Sequence, residues 1–228
     1  AYIVSRLKKC KFIFELRDLW PESIKALNVL KDGFILTMFE KLEIFLYKKA
    51  DIIISVTKSF KKQLINRGIN GSKIHVITNG VNIKKFQIKK KNLDILKKLK
   101  LNNTFVCGYI GTHGLAHGLE TILKTAEIFK KKKINDVKFL FLGDGAEKNK
   151  LIKFSINKQL KNVIFIDSVG RKEVPLYWSL LDVSIIHLKK LETFESVIPS
   201  KIFESMAMGI PLLHGVLGES KEIIESNK

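Results

Sequence analysis

The sequence predicts an α/β fold of two doubly wound, Rossmann-like parallel-sheet domains, both incomplete, and three observations predict it. Short runs that are apolar nearly throughout alternate with longer segments of helical periodicity, which is the pattern of strands covered on both faces by crossover helices. The runs fall into two blocks, 11–78 and 104–213. Between them, residues 82–103 are rich in Lys, Asn and Leu and carry no β-like run. The expected organisation is a first domain over 1–85, a linker with one short amphipathic helix over 86–103, and a second domain over 104–228.

The elements follow in order. The opening Ala1-Tyr2-Ile3-Val4 lacks Met and a charged lead and reads as a helix entered midway, with the true N-terminus upstream. KFIFEL (11–16) is a strand, 34–50 has helical periodicity, and DIIISV (51–56) is a buried-strand pattern. A helix over 58–67 stops at Gly68, and KIHVIT (73–78) ends at the turn pair Asn79-Gly80. In the second block, strands are expected over 104–110, 137–142, 163–166, 182–187 and 211–213. Helices are expected over 118–131, from the 143–145 turn to about 160, over 172–181 and over 200–208. The chain stops before the second sheet would be finished, so its last strands and helices are expected to be missing.

Composition narrows the function classes. No apolar run reaches the roughly 18–20 residues of a membrane span. The net charge is +19, nearly all of it from Lys spread along the chain, with dense runs at 89–91 and 130–133. The first reading is a solvated lysine-rich surface, the second an anionic membrane surface; nucleic acid is not expected, because no recognition motif accompanies the charge. The helix over 34–47 is very apolar for a surface helix and is ringed by Lys25, Lys31, Lys41, Lys48 and Lys49. It fits either a membrane interface or packing on the first sheet. Cys10 and Cys107 read as two buried thiols of a reducing cytoplasm, and His75 as a packing residue inside a strand.

Ligands of doubly wound sheets sit at the carboxyl ends of the strands, so the informative residues follow each strand. The 104–110 strand runs into Gly111-Thr112-His113-Gly114 and then Leu115-Ala116-His117-Gly118 at a helix start, an arrangement that suits an anion. The 137–142 strand ends in Gly143-Asp144-Gly145, where the missing side chains let a ligand approach the backbone. Ile198-Pro199-Ser200-Lys201 opens a helix that Ser200 can cap, with Glu204 one turn inside it. A carboxylate there can accept two hydrogen bonds from a ribose diol, and Lys201 can meet phosphate.

The order of these motifs resembles the family 4 retaining glycosyltransferases over essentially the whole chain. The resemblance is carried by ITNGVNIKKF (77–86), GYIGTHGLAHGLETIL (108–123), FLGDGAEKNKL (141–151) and VIPSKIFESMAMGIPLL (197–213). FELRDLWPESI (14–24) is similar to the branch that builds bacterial surface polysaccharides such as O-antigen. The resemblance implies the two-domain GT-B fold with a cleft, and transfer of a hexosyl group from a nucleoside-diphosphate sugar to an acceptor with retention. It implies that Glu204 holds the ribose, that 111–114 face the diphosphate and that 143–145 lie near the base. Ile198, Pro199 and Lys201 would run under the sugar and phosphates, and Arg17 and Asp18 would sit near sugar and acceptor. Arg17, Asp18 and Lys201 are the expected catalytic residues. No metal and no cofactor is expected, with Asp-x-Asp absent from the sequence. The implied partners are a nucleotide sugar, with UDP expected, a lipid-linked saccharide acceptor, and the inner face of the cell membrane as a peripheral site.

The sequence departs from the family at three places. Thr112 and His117 stand where many members have Arg and Lys, and Ser196, beside Glu195, stands eight residues before Glu204 where a first Glu is usual. Arg171 and Lys201 are the residues left to supply positive charge. The alternatives are a sugar-nucleotide epimerase of the same fold, a basic nucleic-acid- or membrane-binding protein without catalysis, and a fragment without activity of its own.

Overall fold

The computed structural model describes residues 1–27 and 33–226. Contacts divide the chain into two compact units.

The first unit is built on a parallel sheet of β1 (Ile13–Leu16), β2 (Ile52–Ser55) and β3 (Ile74–Val76), in that order. Helix α1 (Tyr2–Leu7) precedes β1, while α2 (Glu22–Ala26) and α3 (Phe34–Lys49) join β1 to β2 and α4 (Lys58–Asn66) joins β2 to β3. Phe12, Leu16, Tyr47, Ile53, Phe60 and Leu64 are buried in one cluster. Thr57 caps α4, its hydroxyl accepting from the Phe60 N–H at 3.0 Å. At the other end of α3, the Lys73 ammonium donates to the carbonyls of Tyr47, Lys48 and Ala50 at 2.8, 3.0 and 2.9 Å. One cation thereby satisfies orphan carbonyls at the negative end of the helix.

Helix α3 divides its apolar residues between the core and the exterior. Leu36, Glu43 and Tyr47 face the core, whereas Phe34, Ile35, Met38, Leu42 and Phe45 are exposed. Among the lysines around it, Lys31 lies outside the described residues. Among the described residues no helix is long and apolar enough to cross a membrane.

The second unit holds five parallel strands in the order β6-β5-β4-β7-β8. They are β4 (Phe105–Ile110), β5 (Val137–Leu142), β6 (Val163–Ile166), β7 (Val183–His187) and β8 (Leu212–Gly215). The helices are α5 (Leu93–Lys98), α6 (Glu120–Lys131), α7 (Lys148–Asn157), α8 (Val174–Trp178) and α10 (Lys201–Ala207). Strand side chains alternate between two cores, as a period of two requires. Val106, Ile110, Leu140 and Leu142 pack with Leu96, Trp178 and Met208. Tyr109, Phe139 and Phe141 pack with Leu119, Leu123 and Leu151. Gly108 lets the Leu181 side chain reach the sheet, since a Cβ there would stand 2.2 Å from its Cδ2.

The spatial grouping departs from contiguous domains over 1–85 and 104–228. Residues 80–103 belong to the second unit. Phe86, Leu96 and Leu101 are buried in its core, and Asp182 accepts from the Lys91 ammonium at 2.6 Å and the Val106 N–H at 2.8 Å. Residues 190–198, with the short α9 (Glu192–Glu195), and the chain from Leu217, with α11 (Glu219–Glu225), group instead with the first 79 residues. Polar contacts hold them there. Gln63 donates to the Ser196 hydroxyl at 3.2 Å, and Glu219 accepts from the Lys58 and Ser59 N–H groups, each at 2.8 Å. Helices α2, α9 and α11 were not expected; they are too short to show a period. Cys10 is exposed rather than buried, because it lies in the loop between α1 and β1. Cys107 is half-buried, and burial together with the Asp182 carboxylate pushes its thiol up to about 11. His75 is exposed, as β3 turns its middle residue outward.

Glu219 supplies acceptors to two orphan donors at the start of α4, so Glu219→Ala is expected to destabilise the chain by about 1 kcal/mol, the usual worth of an N-terminal cap. Urea unfolding with an unchanged m-value would measure it.

Candidate functional site

Two strand-to-helix turns in the second unit are bonded into one layer. The Gly111 N–H donates to the Leu142 carbonyl at 2.9 Å and the Gly143 N–H to the Ile166 carbonyl at 3.1 Å. His113 N–H donates to the Asp144 carbonyl at 2.8 Å, and Glu147 N–H returns to the His113 carbonyl at 2.9 Å. Gly143 has φ +142°, and a Cβ there would stand 2.0 Å from the Gly111 carbonyl oxygen. No side chain fits, so the glycine sets how closely the turns approach.

Beside the turns stands the first part of α10. Ser200 and Lys201 stand four and three residues before Glu204, the spacings that bring side chains to one face of a helix. These three line a pocket of about 370 Å³ together with Gly111, Thr112, Gly143 and Asp144. Ser168, Val169 and Val174, from the segment after β6, complete it. Ser168 and Val169 follow the predicted 163–166 strand, but no glycine turn or helix start in the sequence singles them out.

Each charged group here has a physical setting. Glu204 accepts from the Trp178 indole N–H at 3.2 Å, and burial raises its carboxyl above the ordinary range. The Lys201 ammonium lies 3.3 Å from the Tyr109 hydroxyl and 4.8 Å from the centre of the Tyr109 ring. Burial lowers its pKa to about 8, against the opposing pull of Glu204. Lys148, which sequence reasoning missed, is buried and donates to the Gly143 carbonyl at 2.9 Å and to Asp167 at 2.5 Å, tying the β5 turn to the end of β6. Its only sequence signal is its place three residues after Gly145.

Residues 91–228 match the glycosyl transferases group 1, and residues 1–85 match glycosyltransferase family 4. The chain belongs to the group 1 glycosyl transferases. It is 29% identical over 203 residues to TuaH of Bacillus subtilis, a glycosyltransferase named for teichuronic acid biosynthesis, with 88% of this chain and 49% of that protein covered. It is 28% identical over 165 residues to the capsular polysaccharide biosynthesis glycosyltransferase CapM of Staphylococcus aureus, with 69% and 41% covered. The chain thus spans about half the length of the curated relatives it matches or less. Among solved structures it resembles Anabaena HepE in complex with UDP and glucose, at a TM-score of 0.77 and 17% identity, with 97% of this chain and 57% of that one covered. WaaG, a glycosyltransferase involved in lipopolysaccharide biosynthesis, gives 0.72 and 13%, with 99% and 65% covered. The fold is therefore α/β with parallel sheets, of the GT-B kind.

Not every expected residue meets the pocket. Gly111, Thr112, Gly143, Asp144, Ser200, Lys201 and Glu204 do. Ser200 stands at the start of α10, but its side chain makes no capping bond. The turn after Gly111 passes through a 3-10 segment (Leu115–His117) before α6 begins at Glu120, so the helix start is displaced from Gly118. His113 is fully buried among Tyr109, Phe141 and Phe165. His117 packs on Tyr109, and its carbonyl meets His187 Nδ1 at 2.7 Å. Gly114 lies in the same turn, and Gly145 passes so near His113 that a Cβ would stand 2.6 Å from its carbonyl oxygen. Ile198 is buried and groups with the first unit, while Pro199 opens the return to the second. Arg171 is exposed and does not line the pocket.

Arg17 and Asp18 lie in the first unit, lining a pocket of about 290 Å³ with Trp20, Phe39 and Leu42. The Arg17 guanidinium donates to Glu15 at 3.0 Å and Asn79 at 3.1 Å. Burial raises the Asp18 carboxyl, partly offset by Arg17. Ser196, at the place of the usual first Glu, bonds to Gln63 and to the Thr193 carbonyl in the same unit.

Burial lowers both His113 and His117 to about 4 from 6.5, helped by Lys148 for His113 and Lys201 for His117. Between those values the unfolded chain binds more protons than the folded one, so stability is expected to fall as pH drops from about 6.5 to about 4. Removing one titrating ring with His113→Phe is expected to flatten that dependence, as urea midpoints at pH 7, 6 and 5 would show.

Proposed function

We propose that this chain is the donor-binding part, with part of the acceptor side, of a retaining hexosyltransferase that uses a nucleoside-diphosphate sugar, UDP-sugar first. The observation that carries the reading is the gathering of Glu204, Lys201 and the Gly111 and Gly143 turns around one pocket. In this reading the Glu204 carboxylate accepts from the ribose hydroxyls while Trp178 occupies one of its oxygens. The backbone of 111–112 and the Lys201 ammonium meet the diphosphate, and 143–144 with Val169 meet the base. The pocket lies within the size range of small-molecule sites.

The reaction breaks the bond between the sugar C1 and the diphosphate oxygen and forms one from C1 to an acceptor hydroxyl on the same face. The acceptor proton leaves with the diphosphate. The chain's task is to hold the reactants together and to stabilise charge growing on the leaving phosphate. Lys201 supplies the opposing positive charge in this reading, without a metal or cofactor. Arg17 and Asp18 line the acceptor side. The relatives named for teichuronic acid and capsule support an acceptor in surface polysaccharide synthesis, an O-antigen-like glycan or a lipid-linked saccharide. HepE, whose structures hold UDP and UDP-glucose, supports the base. The exposed apolar residues of α3, with Lys41, Lys48 and Lys49, support a peripheral place on the anionic inner face of the membrane.

A thermal-shift panel of UDP-, GDP-, ADP- and TDP-sugars tests the donor. UDP-sugars are expected to raise Tm most, and Glu204→Ala to remove the rise; an equal rise in Glu204→Ala would overturn the ribose role. Vesicle cosedimentation tests the surface: binding is expected to anionic but not neutral vesicles, and to weaken with salt and in a Phe34→Ser/Met38→Ser variant.

A further inference from the structure

The turn from 111 to 118 contains no Lys or Arg, and its two histidines are held neutral by burial. Lys201 is the one cation among the described residues that line the pocket. It comes from α10, and three contacts aim it at the turn. The fully buried Tyr109 donates its hydroxyl proton to the Thr112 carbonyl at 2.8 Å, so toward the ammonium 3.3 Å away its oxygen acts as acceptor. The same ring offers its face to the ammonium at 4.8 Å. Gly111 leaves room for it, since a Cβ there would stand 2.9 Å from the Lys201 Cε and 3.0 Å from its Nζ.

We propose that Tyr109 is the positioning residue for the Lys201 ammonium, holding it against the Gly111 turn where the donor's diphosphate is bound. The proposal rests on the donor reading above for its ligand, but not for the contact itself. Tyr109 lies at the end of β4 and 92 residues from Lys201, with its hydroxyl bonded to the turn and the lysine together. It therefore couples the height of the turn to the place of the charge. The charged and titratable groups that face the ammonium are Glu204 on its own helix and His113 and His117 from the turn. Both histidines stay neutral through the range in which the lysine titrates.

The test is a double-mutant cycle on the 228-residue chain, with UDP-glucose affinity measured by calorimetry for wild type, Tyr109→Phe, Lys201→Met and the pair. Tyr109→Phe keeps the ring and its packing and removes only the oxygen. It is expected to weaken UDP-glucose about fivefold, the usual worth of one hydrogen bond. It is also expected to move the alkaline loss of affinity, which follows Lys201 near pH 8, to lower pH. In the Lys201→Met background the same change is expected to do nothing further. An equal loss in both backgrounds would mean that Tyr109 acts through the turn or the core alone, and would overturn the proposal. If wild type binds no nucleotide sugar, the donor reading fails. The Tyr109 contact is then decided without ligand, by the pH dependence of Lys201 acetylation with acetic anhydride. A lower midpoint in Tyr109→Phe supports it, and an unchanged midpoint sinks it.

Discussion

The close approach of Gly143 to the Gly111 carbonyl is the constraint on which the candidate site depends. A methyl group at 143 would lie 2.0 Å from that oxygen, so the two turns can lie in one layer only with hydrogen at this position. Parallel pairing of β4 with β5, in register from Phe105 with Val137 to Ile110 with Leu142, brings both strand ends to the same height. The backbone bonds between 113, 144 and 147 then lock the turns together. What remains above them is a shallow floor of backbone, open to a ligand and roofed on one side by α10.

Around that floor, burial and charge are balanced group by group. Lys148 pairs with Asp167 and a carbonyl, Lys201 rests on Tyr109 and near Glu204, and Glu204 takes the Trp178 N–H. Desolvation weakens the charged form of Lys201 and of Glu204 alike, and each partner acts against it. A half-buried ammonium with one weak acceptor and an aromatic face is poised to gain from an arriving anion. The histidines of the turn take the other course and remain neutral, with both ring nitrogens of His113 unpartnered among the described residues.

The first unit shows a different balance. Its core is completed by segments distant in sequence, with Val197 packing on it and Glu219 closing the start of α4. Its longest helix divides its apolar residues between the core and the exterior. The sheet supports the pocket at the end of β1, where Asp18 is held above the usual carboxylate range.

The sequence by itself determined the β/α rhythm, the parallel sheets and the glycines after β4 and β5. Each of these is a local property: a run of apolar residues, a helical period, a turn without a side chain. It also placed Lys201 and Glu204 on one helix face, since a spacing of three residues is close to a full turn. Tertiary structure decided what each polar group meets. Trp178 reaches Glu204 across 26 residues and Tyr109 reaches Lys201 across 92. The inward turn of His113, the burial of Lys148 and the return of 190–198 to the first unit likewise depend on which strands pair. No periodicity records such encounters, because they arise from packing between elements whose separation along the chain carries no information about their separation in space.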